Sequence, residues 1–311
     1  MGLVVITDCD HPSIGIERAI FEAAGHEVRL AQCRTADEVI PTGAGSVALL
    51  AQYAPITDAV MAALPGLRVI GRYGVGLDNI DLPAAARRGI GVLNVPDYCT
   101  AEVADHALAL ILALTRGIAA LDRGIRDGAW DFRLGGELRR GATIQLGIVG
   151  FGRIGQALAK RAQALGYRVV AADPRRTSTS DVPIVTLDEL LPGSDVVSVH
   201  AWLDETNRHL LDARAFALMK PGSFLVNTAR GPLVDQQGLL EALRSGHLGG
   251  AALDVLEREP IPADDPLLAL PNVILTPHAA FFSRESLVEM KQKVAQRMVA
   301  ALEEAPAADQ P

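Results

Sequence analysis

Ile148-Val-Gly150-Phe-Gly152-Arg153-Ile154-Gly155-Gln-Ala-Leu-Ala159 joins an apolar strand end, a glycine-rich corner and the opening of an alanine-rich helix. In a Gly-x-Gly-x-x-Gly of this kind, Gly150 makes the tight turn and Gly152 lets a pyrophosphate approach the backbone. Gly155 lets the helix pack closely on the strand. The helix that begins at Arg153 and Ile154 then presents its first N–H groups to phosphate. Glycine corners also serve as plain structural turns, and the surroundings decide between the two readings. The next β-rich run ends at Ala171-Ala-Asp173-Pro174, 18 residues beyond Gly155, where an acid would hydrogen-bond the adenine ribose. Asp173 repels a 2′-phosphate, so NAD(H) is the expected cofactor and NADP(H) the less favoured one, with Arg175 and Arg176 keeping it open. The other reading of Asp173 is an acidic strand end before a turn-forming proline.

Working outward from this corner, short β-rich runs alternate with Ala/Leu-rich stretches of helical spacing. In the first part strands are predicted at 3–7, 27–30, 47–51, 67–70 and 92–95, with helices at 13–24, 57–64 and 83–88. The second series predicts seven strands, at 144–149, 168–172, 184–185, 196–200, 224–227, 251–255 and 273–275. This is the pattern of an α/β protein with two Rossmann-like, doubly wound parallel-sheet domains and a cleft between them. Between the series, residues 101–127 carry apolar positions at Val103, Ala107, Leu110, Ile111, Leu114, Ile118 and Leu121, which predicts one long amphipathic helix. The Gly-bounded stretch 128–136 holds Trp130 and Phe132, and such a loop either packs on its own domain or reaches a second subunit. The tail 305–311 is expected to fray.

The chain has 311 residues, 49% hydrophobic and 21% charged, which excludes a disordered or coiled-coil protein and suits two domains. Its net charge of −8 argues against nucleic acid or anionic lipid as a partner. Small anionic ligands remain open, since a few local arginines capture them. Cys9, Cys33 and Cys99 show no CxxC and no Cys/His metal spacing, so no metal is expected and a reducing, cytoplasmic location is. The start lacks the regions of a secretory signal. The longest apolar run, 107–114, is too short to cross a bilayer, so no membrane association is expected.

Three strand ends downstream of the corner carry ionisable residues: Asn227-Thr228-Ala229-Arg230-Gly, Asp254-Val-Leu-Glu257-Arg-Glu259-Pro and Thr276-Pro-His278-Ala279-Ala280-Phe281. Ligands of doubly wound sheets bind at these ends. Hydride transfer to a keto acid needs an arginine for the carboxylate and carbonyl and a proton donor that titrates near neutrality. Arg230 and His278 supply these types, and a carboxylate beside the histidine fixes its tautomer.

The order of these four motifs resembles the D-isomer-specific 2-hydroxyacid dehydrogenases, a family that includes D-3-phosphoglycerate dehydrogenases, glyoxylate reductases and the C-terminal binding protein corepressors. The resemblance runs from Gly71-Arg-Tyr-Gly-Val-Gly-Leu-Asp-Asn-Ile-Asp81 through the final helix, and residues 277–283 are most similar to the corepressor branch. It implies an NAD(H)-dependent enzyme that reversibly reduces a 2-keto acid to the D-2-hydroxy acid. Arg230 would bind the carboxylate and carbonyl, and Glu259 would pair with His278, the proton donor and acceptor. Glu257, two residues earlier, is read as a solvated loop acid. Asp254 would stand at the nicotinamide end of the cofactor, Thr228, Ala229, Ala279 and Ala280 would line it elsewhere, and His200, Ala201, Leu203 and Asn207 would line the adenine side. Substrate would meet Arg72, the backbone of Gly74, Val75 and Gly76, and Phe281; a surface arginine and simple packing are the rival readings of Arg72 and Phe281. Residues 1–100 plus 283–311 would form a flavodoxin-like substrate domain, and 101–282 the NAD-binding domain, with a homodimer contact within 101–140.

Trp202 departs from the proline many relatives carry, and no regulatory extension is expected after residue 311. His11, His26, His106, His209 and His247 are read as loop or helix-face histidines, and Cys99 lacks a partner base. Two other functions stay open: an NAD(H)-sensing, corepressor-like binding protein, and a phosphite or formate dehydrogenase on the same fold. Formate enzymes carry glutamine where this chain has Glu259.

Overall fold

The computed structural model describes residues 2–176 and 181–304, so the tail expected to fray lies outside the described residues. The chain divides into two compact units, one running to Cys99 and resuming at Ser283, the other spanning Thr100–Phe282.

The first unit is a five-stranded parallel sheet of β1 (Leu3–Ile6), β2 (Glu27–Leu30), β3 (Ser46–Ala51), β4 (Val69–Arg72) and β5 (Gly91–Leu93), in the order β2-β1-β3-β4-β5. That is the flavodoxin-like order of a doubly wound sheet. β3 is an apolar run with five of its six residues buried, as expected of a strand covered on both faces. The predicted strand at 67–70 sits two residues later, because the Leu67 N–H closes a turn on the Leu64 carbonyl. Arg72 therefore ends β4. The helix Ala36–Thr42 was not predicted, although Thr35 and Glu38 form a reciprocal capping box at its start. The C-terminal helix Arg284–Glu304 packs on β4 so closely that a Cβ on Gly71 would lie 2.2 Å from the Met298 sulfur.

The second unit holds six parallel strands: β6 (Gln145–Val149), β7 (Arg168–Ala172), β8 (Val196–Val199), β9 (Phe224–Asn227), β10 (Gly250–Leu253) and β11 (Val273–Leu275), ordered β11-β10-β9-β8-β6-β7. The seventh predicted strand is corrected to a single bridge, Ile184 to Ala171, beside β7. Pro183 accepts from the Ala171 N–H but has none to give, so the ladder stops there. With that bridge at the edge the sheet keeps Rossmann order.

The predicted single helix over 101–127 is two helices, Thr100–Thr115 and Ile118–Arg126, bent by 61°. Gly117 takes a left-handed φ of 61°, and a Cβ there would lie 2.5 Å from the Gly135 carbonyl oxygen. A glycine is therefore needed both for the turn and for the approach of the following loop. Ala104, Ala107, Leu110, Ile111 and Leu114 pack in one core with Ile148, Leu158, Val226 and Ala252. Among the described residues no single helix is long and apolar enough to cross a membrane. Trp130 and Phe132 do not pack on their own unit: they are 92% and 84% exposed.

Candidate active site

The glycine corner does what its spacing demands. Gly150 has φ 90°, and a Cβ on it would lie 2.5 Å from the Ala201 nitrogen, against the backbone that leaves β8. A Cβ on Gly155 would lie 2.4 Å from the Gly150 carbonyl oxygen, whereas one on Gly152 meets nothing within 4 Å. Space is thus denied at two glycines and open at the one where a pyrophosphate approaches. The helix Arg153–Ala164 starts at Gly152 with no side-chain cap, which leaves its N-terminal N–H groups suited to an anion. Asp173 is partly committed inside the protein: its Oδ2 accepts the Phe151 N–H at 2.7 Å and its Oδ1 the Arg175 N–H at 2.8 Å. A carboxylate has about four lone-pair sites, so it retains capacity for a ribose hydroxyl. Pro174 follows it on the surface.

β8 and β9 end on two polar atoms that are buried without a hydrogen-bond partner, His200 Nδ1 and Thr228 Oγ1. Buried polar groups in proteins are nearly always satisfied, so orphans at two neighbouring strand ends beside the glycine corner fit a bound dinucleotide. The other ring nitrogen of His200 lies 2.8 Å from Ser198 Oγ, and burial pushes the imidazole pKa down to about 4. Asn207 shapes the next loop, donating to the Trp202 carbonyl and accepting the Asp204 N–H at 2.8 Å, with Leu203 half-buried between. Trp202 is 43% exposed.

Asn227, buried at the end of β9, accepts the Ala229 N–H and donates to the Arg230 carbonyl at 2.9 Å, which folds the chain so that Arg230 leaves the sheet in an extended conformation. Asp254 lies behind the site. Its carboxylate is 1% exposed and accepts from Thr276 Oγ1 at 2.6 Å and from the Ala279 and Ala280 N–H groups at 2.9 Å. It holds the turn on which His278 sits, with His106 Nε2 3.6 Å away. His106, read as a bystander, is thus a neighbour of that buried acid and also meets Thr276 Oγ1 at 3.0 Å.

The structure sorts the two glutamates of the 254–260 loop. His278 Nδ1 donates to Glu259 Oε2 at 2.7 Å, and Glu259 Oε1 accepts the Leu256 N–H at 3.0 Å. Burial by itself would raise the Glu259 carboxyl. The hydrogen bond and charge of His278, the Leu256 N–H and the charge of Arg230 outweigh it and hold the group below the ordinary glutamate range. With Nδ1 committed, His278 Nε2 is the nitrogen left for a reacting proton. Phe281 meets the His278 ring edge-on, centroids 6.3 Å apart. Glu257 is not a bare solvated acid: its Oε1 lies 2.6 Å from His209 Nε2. With Asp235 these form the one group among the described residues whose ligand atoms, all within 4.8 Å of one another, could hold a metal ion.

In the first unit Arg72 curls over the turn that follows it, so that a Cβ on Gly74 would lie 1.9 Å from its Nη1. The carbonyls of Gly74 and Val75 accept from the Val95 N–H at 2.9 Å and from Asn94 Nδ2 at 2.6 Å, which pins the turn through to Gly76. Between Arg72 and Gly74, Tyr73 is buried and donates to Glu17 Oε1 at 2.6 Å. Lys291 stands 3.5 Å from that same oxygen. Sequence reasoning missed this buried support, because its three members lie far apart in the chain.

Residues 108–280 match the family model described as D-isomer specific 2-hydroxyacid dehydrogenase, NAD binding domain. The chain is 43% identical over 253 residues to a glyoxylate reductase of Korarchaeum cryptofilum, covering 79% of this chain and 76% of that protein. It is also 43% identical over 256 residues to an (S)-sulfolactate dehydrogenase of Chromohalobacter salexigens, covering 80% and 82%. Among solved structures, the TT0316 protein from Thermus thermophilus superposes with a TM-score of 0.89 at 39% identity, over 98% of both chains. The chain therefore belongs to the D-isomer specific 2-hydroxyacid dehydrogenase family, NAD-dependent oxidoreductases, and its second unit is that family's NAD-binding domain.

Proposed function

We propose that this protein reduces a small 2-keto acid to the D-2-hydroxy acid and catalyses the reverse oxidation. The observation that carries the reading is the His278–Glu259 hydrogen bond of 2.7 Å on the strand ends that follow the glycine corner. Bound NADH supplies the hydride. Gly150, Gly152, Arg153, Ile154 and Gly155 would hold the pyrophosphate, and Asp173 with Pro174 the adenine ribose. His200, Ala201, Leu203 and Asn207 would line the adenine side; Thr228, Ala229 and Ala280 the nicotinamide side. Arg230 pairs with the substrate carboxylate and polarises its carbonyl. His278 Nε2 holds the proton that the keto oxygen receives, and Glu259 keeps Nε2 turned outward. Having glutamate at 259 separates this site from the glutamine of formate enzymes. We assign Arg72, the Gly74–Gly76 turn and Phe281 to the substrate as well.

The relatives bear on Arg72. One is named for glyoxylate, which has no second anion, and the other for sulfolactate, which carries a sulfonate. Arg72 is the side chain suited to a second anion. The decisive experiment follows NADH consumption with glyoxylate, hydroxypyruvate, sulfopyruvate and phenylpyruvate, with NADPH in parallel. Turnover with preference for NADH is expected. Tight NADH binding without turnover of any keto acid would overturn the enzyme reading in favour of the sensor.

The exposed Trp130 and Phe132, with Ile118 at 55% and Ile125 at 49% exposure on the preceding helix, support a homodimer through this region. Sedimentation of the W130S/F132S variant as a monomer, against a dimeric parent, is the expected result. Three buried cysteines, none of them in a disulfide, support a cytoplasmic location.

A further inference from the structure

Two non-glycine residues among those described adopt a left-handed backbone, His278 at φ 52° and His209 at φ 53°. That conformation is uncommon for non-glycine residues, though less so for histidine than for most, and persists where surrounding contacts enforce it, often at functional sites. His278 has its explanation in the proposed reaction. His209 does not, and each of the two histidines meets a glutamate of the same loop. We infer that His209 and Glu257 form a clamp that sets the loop carrying Glu259, and so positions the Glu259 carboxylate on His278; this rests on the roles proposed above for Glu259 and His278.

The argument begins with how little regular structure holds Glu259. It lies in an irregular stretch after β10, within four consecutive exposed residues, 257–260. One carboxylate oxygen takes the Leu256 N–H and the other takes His278, so the placing of the Leu256 peptide decides where the carboxylate stands. Glu257 is the next residue, and its Oε1 lies 2.6 Å from His209 Nε2, a close contact that is not an in-line hydrogen bond. The next peptide, Leu256–Glu257, lies on Gly231, where a Cβ would come within 1.9 Å of the Leu256 carbonyl carbon. Gly231 follows Arg230, and the His209 N–H donates to the Pro232 carbonyl at 2.8 Å. His209 thus ties the Arg230 segment by its backbone and the Glu259 loop by its ring. Asp235, the N-cap of the helix Gln236–Arg244, adds a second carboxylate near the ring. His209 and Glu257 are positioning residues in this scheme, since neither touches the reacting atoms.

The test uses His209→Asn, which tolerates the left-handed backbone but is too short to reach Glu257, and Glu257→Gln, which keeps the shape and loses the charge. Each is expected to lower kcat about tenfold while KM for the keto acid and the Kd for NADH stay within about twofold. The double variant should be no slower than either single one. In a Glu259→Gln background, His209→Asn should cost little more, because the carboxylate it positions is gone. An unchanged kcat, a loss that adds in full to that of Glu259→Gln, or a loss confined to KM or Kd would overturn the clamp. So would a wild-type rate that falls on chelation and returns with a divalent cation, which would make the trio a metal site. Should the wild type turn over no keto acid, the proposed function fails first. The clamp is then read from ¹⁵N-histidine NMR, as a change in the hydrogen-bonded Nδ1–H signal of His278 in His209→Asn. An unaltered signal overturns it.

Discussion

His278 and His209 share a backbone conformation and a glutamate partner on one loop, yet they use opposite ring nitrogens. His278 commits Nδ1 to Glu259, in line at 2.7 Å, and keeps Nε2 for another partner. His209 places Nε2 itself on Glu257, with Asp235 close by, so the nitrogen that could exchange a proton with substrate is occupied by protein. His278 also sits on a turn whose next two N–H groups are fixed by a buried carboxylate, Asp254. In the roles proposed above, the same pair of residue types serves as a proton-transfer device in one place and a brace in the other. Ring orientation and the neighbouring backbone make the difference.

The strongest way to break this contrast is His278→Gln. Loss of the proton donor should lower kcat by about 10²–10⁴-fold with NADH affinity nearly unchanged. Comparable rates for His278→Gln and His209→Asn would mean that the two pairs had been assigned the wrong way round. Glu259→Gln comes next, at about 10–100-fold in kcat, the size of effect seen when the partner that orients a metal-bound imidazole is lost. Glutamine can keep one hydrogen bond but carries no charge. A fall in KM alone would count against an orienting role.

Asp173 lies outside both pairs and gauges cofactor binding separately from proton transfer. Asp173→Ala should weaken NADH about tenfold and NADPH much less, since NADPH gains nothing from the carboxylate. Titration of both nucleotides by fluorescence decides it. An equal loss for the two would mean that Asp173 acts only through the Phe151 N–H it holds at 2.7 Å, as a strut of the glycine corner.

How much of this could be read from the chain follows from the range of the forces involved. The glycine corner was legible because Gly150 and Gly155 answer to atoms a few residues or one strand away. The strand ends that carry Arg230 and His278 were legible too, because each follows an apolar β-rich run. The choice between Glu257 and Glu259 rested on family resemblance, because two acids on one irregular loop differ in partner only after His209 and His278 have been brought to it from other strands. The bend at Gly117 was hidden for a related reason: the 3.6-residue apolar period runs through it unbroken, from Leu114 to Ile118 and Leu121. What breaks the helix is the Gly135 carbonyl, 18 residues later, pressed against a position with no side chain. The burial of Asp254 was equally invisible, since a motif names a residue without saying which way its carboxylate points.

His200 supplies the smallest and last test, as a histidine at a strand end with no carboxylate beside it. Its imidazole is pushed down from 6.5 to about 4 by burial, so it is neutral in the folded protein at every pH where the enzyme would be assayed. Between those two values the unfolded chain takes up a proton that the folded one refuses, and stability must fall as the pH drops from 6.5 toward 4. At pH 5.5 the penalty is about 1 kcal/mol, and above 6.5 it vanishes. His200→Gln does not titrate, so the stability difference between wild type and variant, measured by urea unfolding, should shift against the wild type by that amount between pH 7 and pH 5.5. A difference that stays constant across this range would show that the ring is solvated and free to protonate. The orphaned Nδ1 would then be open to water rather than reserved for the cofactor. A slope of the expected sign would show that the ring stays dry in the folded protein, with its Nδ1 kept from water.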